Sequence, residues 1–325
     1  MALTGVLRAL AAGPPAAAAV DILERLVPRR PDSLAVLTFH RVAPPGVDVA
    51  PGLLSATPAG FSELLDTLAK RHAVITVDDL VRRSNGGPAL PPRSLLLTFD
   101  DAYVDFAEHA WPALRAHGLS AVLFVPTAYP DAPKLSFWWD RIHRAVATSS
   151  RPSVLSPSGE LPLGSTQERV RAYRAIRDAL KAMAHDRMLE AVDRLVEELG
   201  GERPGNLVLG WARLRELAGE GVALAPHTRT HPLLPRLKSE ALEAEIAGSR
   251  DDLARETGSN LPVFAYPSGA ASPAVAEAVT AAGLRIAFTT ARGVNDLRTA
   301  SWLLLRRINV SVRTPLAAVR VQMVR

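Results

Sequence analysis

Short apolar runs alternate along this chain with segments whose apolar residues fall at helical spacing. Ser33-Leu34-Ala35-Val36-Leu37-Thr38-Phe39 is apolar and partly β-branched, which predicts a buried strand ending at His40. Pro44-Pro45-Gly46 then breaks the chain. Phe61, Leu64, Leu65 and Leu68 predict a helix over 61–72. Val74-Ile75-Thr76-Val77 reads as a second strand, and Asp78-Asp79 as a helix start with a carboxylate N-cap. Residues 94–99 form a third apolar run, which delivers Asp100 and Asp101 at its end. A helix over 106–117 and a strand over 121–125, stopped by Pro126, complete a strand–helix–strand rhythm that predicts parallel β/α units.

From about 140 to 204 the rhythm fails. Two charged helical patterns, near 167–184 and 186–199, follow a loop-like stretch at 149–165. This segment, about 140–205, reads as a helical insertion capping one side of the domain. The alternation then resumes with a helix over 211–218, a strand over 221–225 leading into His227, and a helix over 239–256. A strand over 263–266 ends at Pro267-Ser268-Gly269, a helix over 274–282 ends at Gly283, and strands over 285–289 and 303–310 close the pattern. The domain organisation is therefore a leader or helix at 1–32, one α/β barrel at 33–312 carrying the insertion, and a tail at 313–325. His40, Asp100, Asp101, His227 and Tyr266 all fall at or just past strand C-terminal ends, which in such a barrel share the active-site face.

Length and composition narrow this picture. With 325 residues and 48% hydrophobic content, one large domain, or one with an insertion, is expected. The net charge of +5 comes mainly from scattered arginines, without a Lys/Arg block or an aromatic-studded basic stripe. It suits a mildly basic face toward anionic glycans or lipid head groups as well as it suits nucleic acid, and no nucleic-acid partner is read from it. The absence of cysteine excludes disulfides and thiolate metal sites and leaves the compartment open. Residues 5–20 are rich in Ala and Leu, but Arg8 and Pro14-Pro15 interrupt them, so they are too short a run to span a membrane and a poor secretory signal. The leader is either a helix packed on the domain or a segment touching a membrane surface, which puts the chain in the cytoplasm or peripheral to a membrane.

The chemistry concentrates at two places. Adjacent Asp residues are most often a turn or a helix cap, but Asp100-Asp101 follow a buried strand, where two repelling carboxylates gain from a cation on one of them. His227 and His231, four residues apart and flanked by Pro226 and Pro232, can reach a single ion from one helical turn or a rigid shaped loop. One Asp with two His makes a divalent-metal triad, zinc being the favoured ion, and leaves the second Asp to act on water.

At these residues the chain resembles the polysaccharide deacetylases of the NodB-homology, carbohydrate esterase family 4 group. Thr98-Phe99-Asp100-Asp101 is similar to the first motif of that family and His227-Thr228-Arg229-Thr230-His231 to its second. Phe264-Ala265-Tyr266-Pro267-Ser268-Gly269 and Trp138-Trp139-Asp140 resemble the exopolysaccharide-modifying branch. The resemblance spans roughly 34–310 and implies a distorted (β/α)7 barrel, with Asp100 as general base and Asp101, His227 and His231 as metal ligands. It implies a metal-dependent hydrolase that removes N-acetyl groups from an amino-sugar glycan or glycolipid. A deacylase of a lipid-linked sugar or small amide, and a non-catalytic glycan-binding barrel, are the alternatives.

Three positions depart from the family pattern. Ala265 stands where an Arg often pairs with the catalytic Asp, Ala102 stands where Gly is usual, and no histidine follows His231 to act as catalytic acid. His40, at the end of the first strand, takes that acid role if the barrel is circularly permuted, as in some exopolysaccharide deacetylases. The other reading of His40 is a strand-end ring bonded to backbone. A backbone N–H near Tyr103 is expected to assist the oxyanion. Tyr266 is expected to shape the sugar or acetyl pocket, and Trp139 with Trp138 to stack on a sugar ring; Tyr266 as a core residue and the two tryptophans as packing under the insertion are the alternatives.

Overall fold

The computed structural model describes residues 14–26, 30–46, 49–200, 204–205 and 207–323. Eight strands carry the architecture: β1 Ser33–Phe39, β2 Ala73–Val74, β3 Ser94–Phe99, β4 Val122–Val125, β5 Ala223–Pro226, β6 Val263–Ala265, β7 Ile286–Phe288 and β8 Ile308–Asn309. β1 and β3 pair in parallel over six residues, from Leu34 with Ser94 to Phe39 with Phe99. β4 adds to β3 and β5 to β4, again in parallel. β8 lies on the other side of β1, so the last strand of the chain pairs with the first. β6 and β7 form a separate parallel ladder.

Strand alternation explains the layers. Leu34 and Val36 of β1 point the same way as Leu96, Phe124, Ala225, Val263 and Phe288, and strands of both ladders enclose this one cluster. Ala35, Leu37 and Phe39 point outward and pack with Phe61, Leu65 and Leu68 of the helix Pro58–Arg71. The result is the interior and shell of an α/β barrel-like sheet. Among the described residues no ladder joins β5 to β6, and side chains span that gap: Ser259 Oγ donates to Leu224 O at 2.6 Å.

Several local expectations change. Val74–Val77 is not one strand: β2 stops at Val74, and Thr76 caps the helix Val77–Ser84 through a capping box with Asp79. The cap is thus the hydroxyl, with the carboxylate at N3 returning the bond. The 149–165 stretch holds a hairpin, Ser153–Ser156 with Gly159–Pro162. The 303–310 strand shrinks to β8 and a single bridge from Leu305 to Phe288. The helix after Asp101 begins as a π-helical turn, Phe106–Ala110, before Pro112 near the start of Trp111–Ala116.

Among the described residues, the segment between β4 and β5 contributes no strand to the main sheet. Its helices Trp138–Thr148, Thr166–Ala182 and His185–Leu199 bury Ile142, Tyr173, Ile176, Leu180 and Val192 in a core of their own. The described part of the leader is the helix Pro14–Leu26, where Glu24 is buried and ion-paired with Arg320 and Arg71. Residues of the expected leader before Pro14 lie outside the described set. Among the described residues no helix is long and apolar enough to cross a membrane.

Candidate active site

β3 ends in a tight turn. Asp101 (φ 73°) and Ala102 (φ 50°) both adopt left-handed backbone, a conformation that costs an L-residue roughly 1–2 kcal/mol. This accounts for glycine being usual at the Ala102 position of the resembled family. The Ala102 methyl is fully buried, and the Ala102 carbonyl accepts from Leu209 N–H at 2.9 Å, which helps hold the turn. Thr228, His231 and Ser268, also left-handed, lie at the same end of the barrel. Strain gathered at one site in this way is a signature of function.

His227 and His231 do not lie on a helix. β5 ends at Pro226, and the loop beyond it is pinned from several sides. His231 N–H donates to Thr228 Oγ1 at 3.0 Å. Glu245 accepts from the backbone N–H groups of Arg229 and Thr230 at 2.8 and 2.9 Å. The Arg229 guanidinium in turn forks onto Asp252 at 2.7 and 3.0 Å.

The loop brings both imidazoles to Asp101. His231 Nε2 lies 3.4 Å and His227 Nε2 3.7 Å from Asp101 Oδ1. One ligand atom from each residue falls within 4.8 Å of the other two. Tetrahedral ligation at about 2.0–2.1 Å would put donors about 3.3 Å apart, so the trio needs little adjustment to hold a divalent cation. The chemistry of the donors agrees. Asp101 Oδ1 is buried without a hydrogen-bond partner. Burial, then the neighbouring Asp100 charge, push the Asp101 carboxyl well above its usual range, a cost that a cation removes. Burial lowers both imidazoles, so each offers a lone pair. His227 Nδ1 lies 2.7 Å from Ala265 O, which fixes the proton on that nitrogen and leaves Nε2 free.

Asp100 sits apart from this trio in role. It is buried, and both its oxygens accept from Arg307, at 2.8 Å each. Burial opposes its charge, but the Arg307 guanidinium prevails and holds the carboxyl well below the usual range. Arg307 Nε donates to Thr289 O at 2.9 Å, so the fork is anchored at its base. Sequence reasoning left Asp100 without a cation because Ala265 occupies the usual Arg position. The partner arrives instead from just before β8. The available signal was Arg306-Arg307 inside an otherwise apolar run, where a charge must find a buried partner.

His40, Asp100, Asp101, His227 and His231 line a single cavity of about 310 Å³. Trp138 and Trp139 also line it, and Trp139 sets its ring edge-on to His231 at 4.8 Å. His40 N–H donates to Ser55 Oγ at 2.9 Å. Its ring is drawn down to about 4 by burial, with Asp100 the main opposing influence. The Tyr103 and Tyr266 side chains do not line this cavity. Tyr103 is fully buried, its hydroxyl donating to Asp140 Oδ2 at 2.7 Å and accepting from Trp139 Nε1 at 2.9 Å. Tyr266 is fully buried among Phe264, Val279 and Leu284, as its apolar neighbours in sequence favour.

The structure resembles the deacetylase PplD of Streptococcus pyogenes, solved in complex with acetate, with TM-score 0.62 and 17% identity over 90% of this chain and 99% of that one. It resembles IcaB from Ammonifex degensii (TM-score 0.59, 18% identity, 90% and 98% covered) and the BpsB deacetylase domain from Bordetella bronchiseptica (0.55, 20%, 86% and 96%). These likenesses establish the fold. No curated protein matches the chain. The polysaccharide deacetylase family model matches residues 87–287, which include Asp100-Asp101 and the His227–His231 loop and leave His40 and Arg307 outside. With well over half of its 325 residues matched, this chain belongs to the polysaccharide deacetylase family.

Proposed function

We propose that the chain is a metal-dependent hydrolase that removes N-acetyl groups from an amino-sugar glycan, with Asp101, His227 and His231 as metal ligands, Asp100 as base and His40 as acid. The observation that carries this reading is the pairing of an ionised, Arg-anchored Asp100 with an Asp–His–His trio in one cavity. When bound, a divalent ion, zinc by preference for this donor set, supplies Lewis acidity toward the acetyl carbonyl and the attacking water.

The chain's own residues supply the rest. Asp100 is ionised throughout the physiological range and accepts the proton of the attacking water. Arg307 fixes the direction of its lone pairs and stays charged as the proton arrives. A backbone N–H near Tyr103, in the turn held by the Ala102–Leu209 bond, assists the developing oxyanion. His40 gives a proton to the leaving amine. Its resting ring is neutral at pH 7, so it is loaded during turnover with the proton that Asp100 took from the attacking water, and both groups return to their resting forms. Water's proton and the amine's requirement then balance without net exchange. The Trp138 and Trp139 rings on the cavity wall suit a sugar face.

The test is acetate release from N-acetylglucosamine oligomers by protein reconstituted with zinc, cobalt or manganese, with and without chelator. Release that requires the ion supports the reading. Full release by chelated, metal-free protein, or none from any oligomer or N-acetyl sugar, removes it.

A further inference from the structure

The insertion lends the cavity positive charge that the deacetylation chemistry does not use. Arg177 and Lys181 stand four residues apart on the helix Thr166–Ala182 and both line the cavity, as does Arg236 from the turn Leu234–Arg236. Like charges at this helical spacing repel and weaken a helix unless something exploits them. They do not neutralise the site's acids by contact. Asp100 is taken by Arg307, and the neighbours of Asp101 are imidazoles. Arg177 forks onto the exposed Asp178 beside it and lies over the Tyr173 ring, 6.0 Å from its centroid, and Arg236 donates to the carbonyl of Met183. Among the described residues Lys181 has no hydrogen-bond or ion-pair partner. Lys181 and Arg236 are solvent-exposed, while the Lys181 ammonium is drawn below the usual range by partial loss of water and then by the Arg177 charge. The same cavity is also lined by Leu53, Met183, Met188 and Leu233.

Three cations converge from two elements on the cavity that holds the hydrolytic centre. A neutral N-acetyl glycan offers them only uncharged acceptors. A phosphate offers several charge-assisted acceptors to Lys and Arg together. Resting on the deacetylase reading above, we infer that Lys181, with Arg177 and Arg236, binds the phosphate of a phosphorylated N-acetyl amino sugar, so that a phosphate-bearing substrate is preferred over a neutral one. The apolar wall gives room for an alkyl chain on that phosphate, as in a lipid-linked sugar.

The experiment compares acetate release by the metal-loaded enzyme from N-acetylglucosamine 1-phosphate, from its long-chain alkyl phosphodiester, and from the neutral methyl glycoside. The expected result is a kcat/KM for at least one phosphate substrate about 10-fold or more above the neutral one, as one charge-assisted contact provides. Lys181→Gln should cut that preference about tenfold, and Lys181→Arg should restore most of it. Inorganic phosphate should inhibit turnover competitively, more weakly in Lys181→Gln. Preference for the alkyl ester identifies a lipid-borne headgroup, and preference for the free ester identifies a soluble sugar phosphate; either supports the inference. Equal turnover of charged and neutral substrates, or a preference unmoved by Lys181→Gln and Arg177→Gln, overturns it while leaving the deacetylase standing. Failure of the metal-loaded enzyme on all three substrates and on neutral oligomers overturns the deacetylase reading itself.

Discussion

Arg307 grips Asp100 across 207 residues of sequence, with one guanidinium nitrogen 2.8 Å from each carboxylate oxygen. Both side chains are almost wholly excluded from solvent. Arg307→Ala would leave an uncompensated charge in the barrel interior, which typically costs about 3–5 kcal/mol. We expect a clear loss of stability in urea melts together with loss of turnover. In an Asp100→Ala background the same change should cost much less, because the carboxylate is gone. Equal costs in both backgrounds would show that the pair is not coupled. Arg307→Lys keeps the charge but loses the fork, so activity should fall more than stability does.

The division of labour between the adjacent Asp residues is separately testable. Asp100→Asn should abolish turnover and leave about one divalent ion per chain, because Asp100 is committed to Arg307 and not to the imidazoles. His231→Ala should lose most of the ion, since two donors hold a cation poorly. Metal content by mass spectrometry, read beside acetate release, decides it. Full occupancy in His231→Ala, or near-normal acetate release by Asp100→Asn, would refute the assignment.

What could be read in advance follows the range of each interaction. The Asp pair and the two histidines lie in short contiguous motifs at strand ends, so periodicity and local chemistry were enough to find them. The parallel β/α order was equally legible, because each strand is a local apolar run. Arg307 was not found, because its meaning depends on β8 pairing beside β1, a relation with no local trace. The Ala102 position looked like a defect in the motif. In three dimensions it is a left-handed residue whose backbone is held by Leu209. Proximity to the motifs suggested a backbone N–H near Tyr103 for the oxyanion and Tyr266 for the pocket wall, with core as the alternative for Tyr266. The Tyr103 side chain is a hydrogen-bond relay under the insertion, and Tyr266 is core. The hairpin at 153–162 escaped notice because Ser, Pro and Gly dominate the segment and its strands have only four residues each.

His40 lies 60 residues before Asp100 and lines the same cavity. β1 runs parallel to β3 in register to its last residue, Phe39 opposite Phe99, so the residues that follow each strand emerge side by side. If His40 supplies the proton to the leaving amine, His40→Ala should lower kcat by about 10²–10⁴-fold with metal content unchanged. A substrate with a better leaving nitrogen, such as an acetanilide, should lose less, because its departure needs less protonation. A uniform loss on both substrates would point to a packing role for the ring.

Asp140 gives the fold a pH dependence whose sign can be worked out. Burial raises its carboxyl from 3.8 to about 7, against the opposing effect of the hydrogen bond from Tyr103. Its second oxygen has no partner. Between about pH 4 and pH 7 the unfolded chain has released this proton while the folded chain keeps it, so the unfolded state binds fewer protons and stability falls as pH rises. Above about 7 both states are ionised and the penalty is constant. Asparagine can still accept from Tyr103 and cannot ionise. Asp140→Asn should therefore gain stability relative to the parent progressively from pH 4.5 to pH 7, then hold a fixed advantage. Urea midpoints at four pH values across this window measure it. A difference between the two proteins that stays flat from pH 4.5 to 7.5 would show that Asp140 is ionised in the folded state throughout. Tyr103 would then be donating to a carboxylate that another charge, with Arg41 the nearest candidate from the facing strand end, keeps in place.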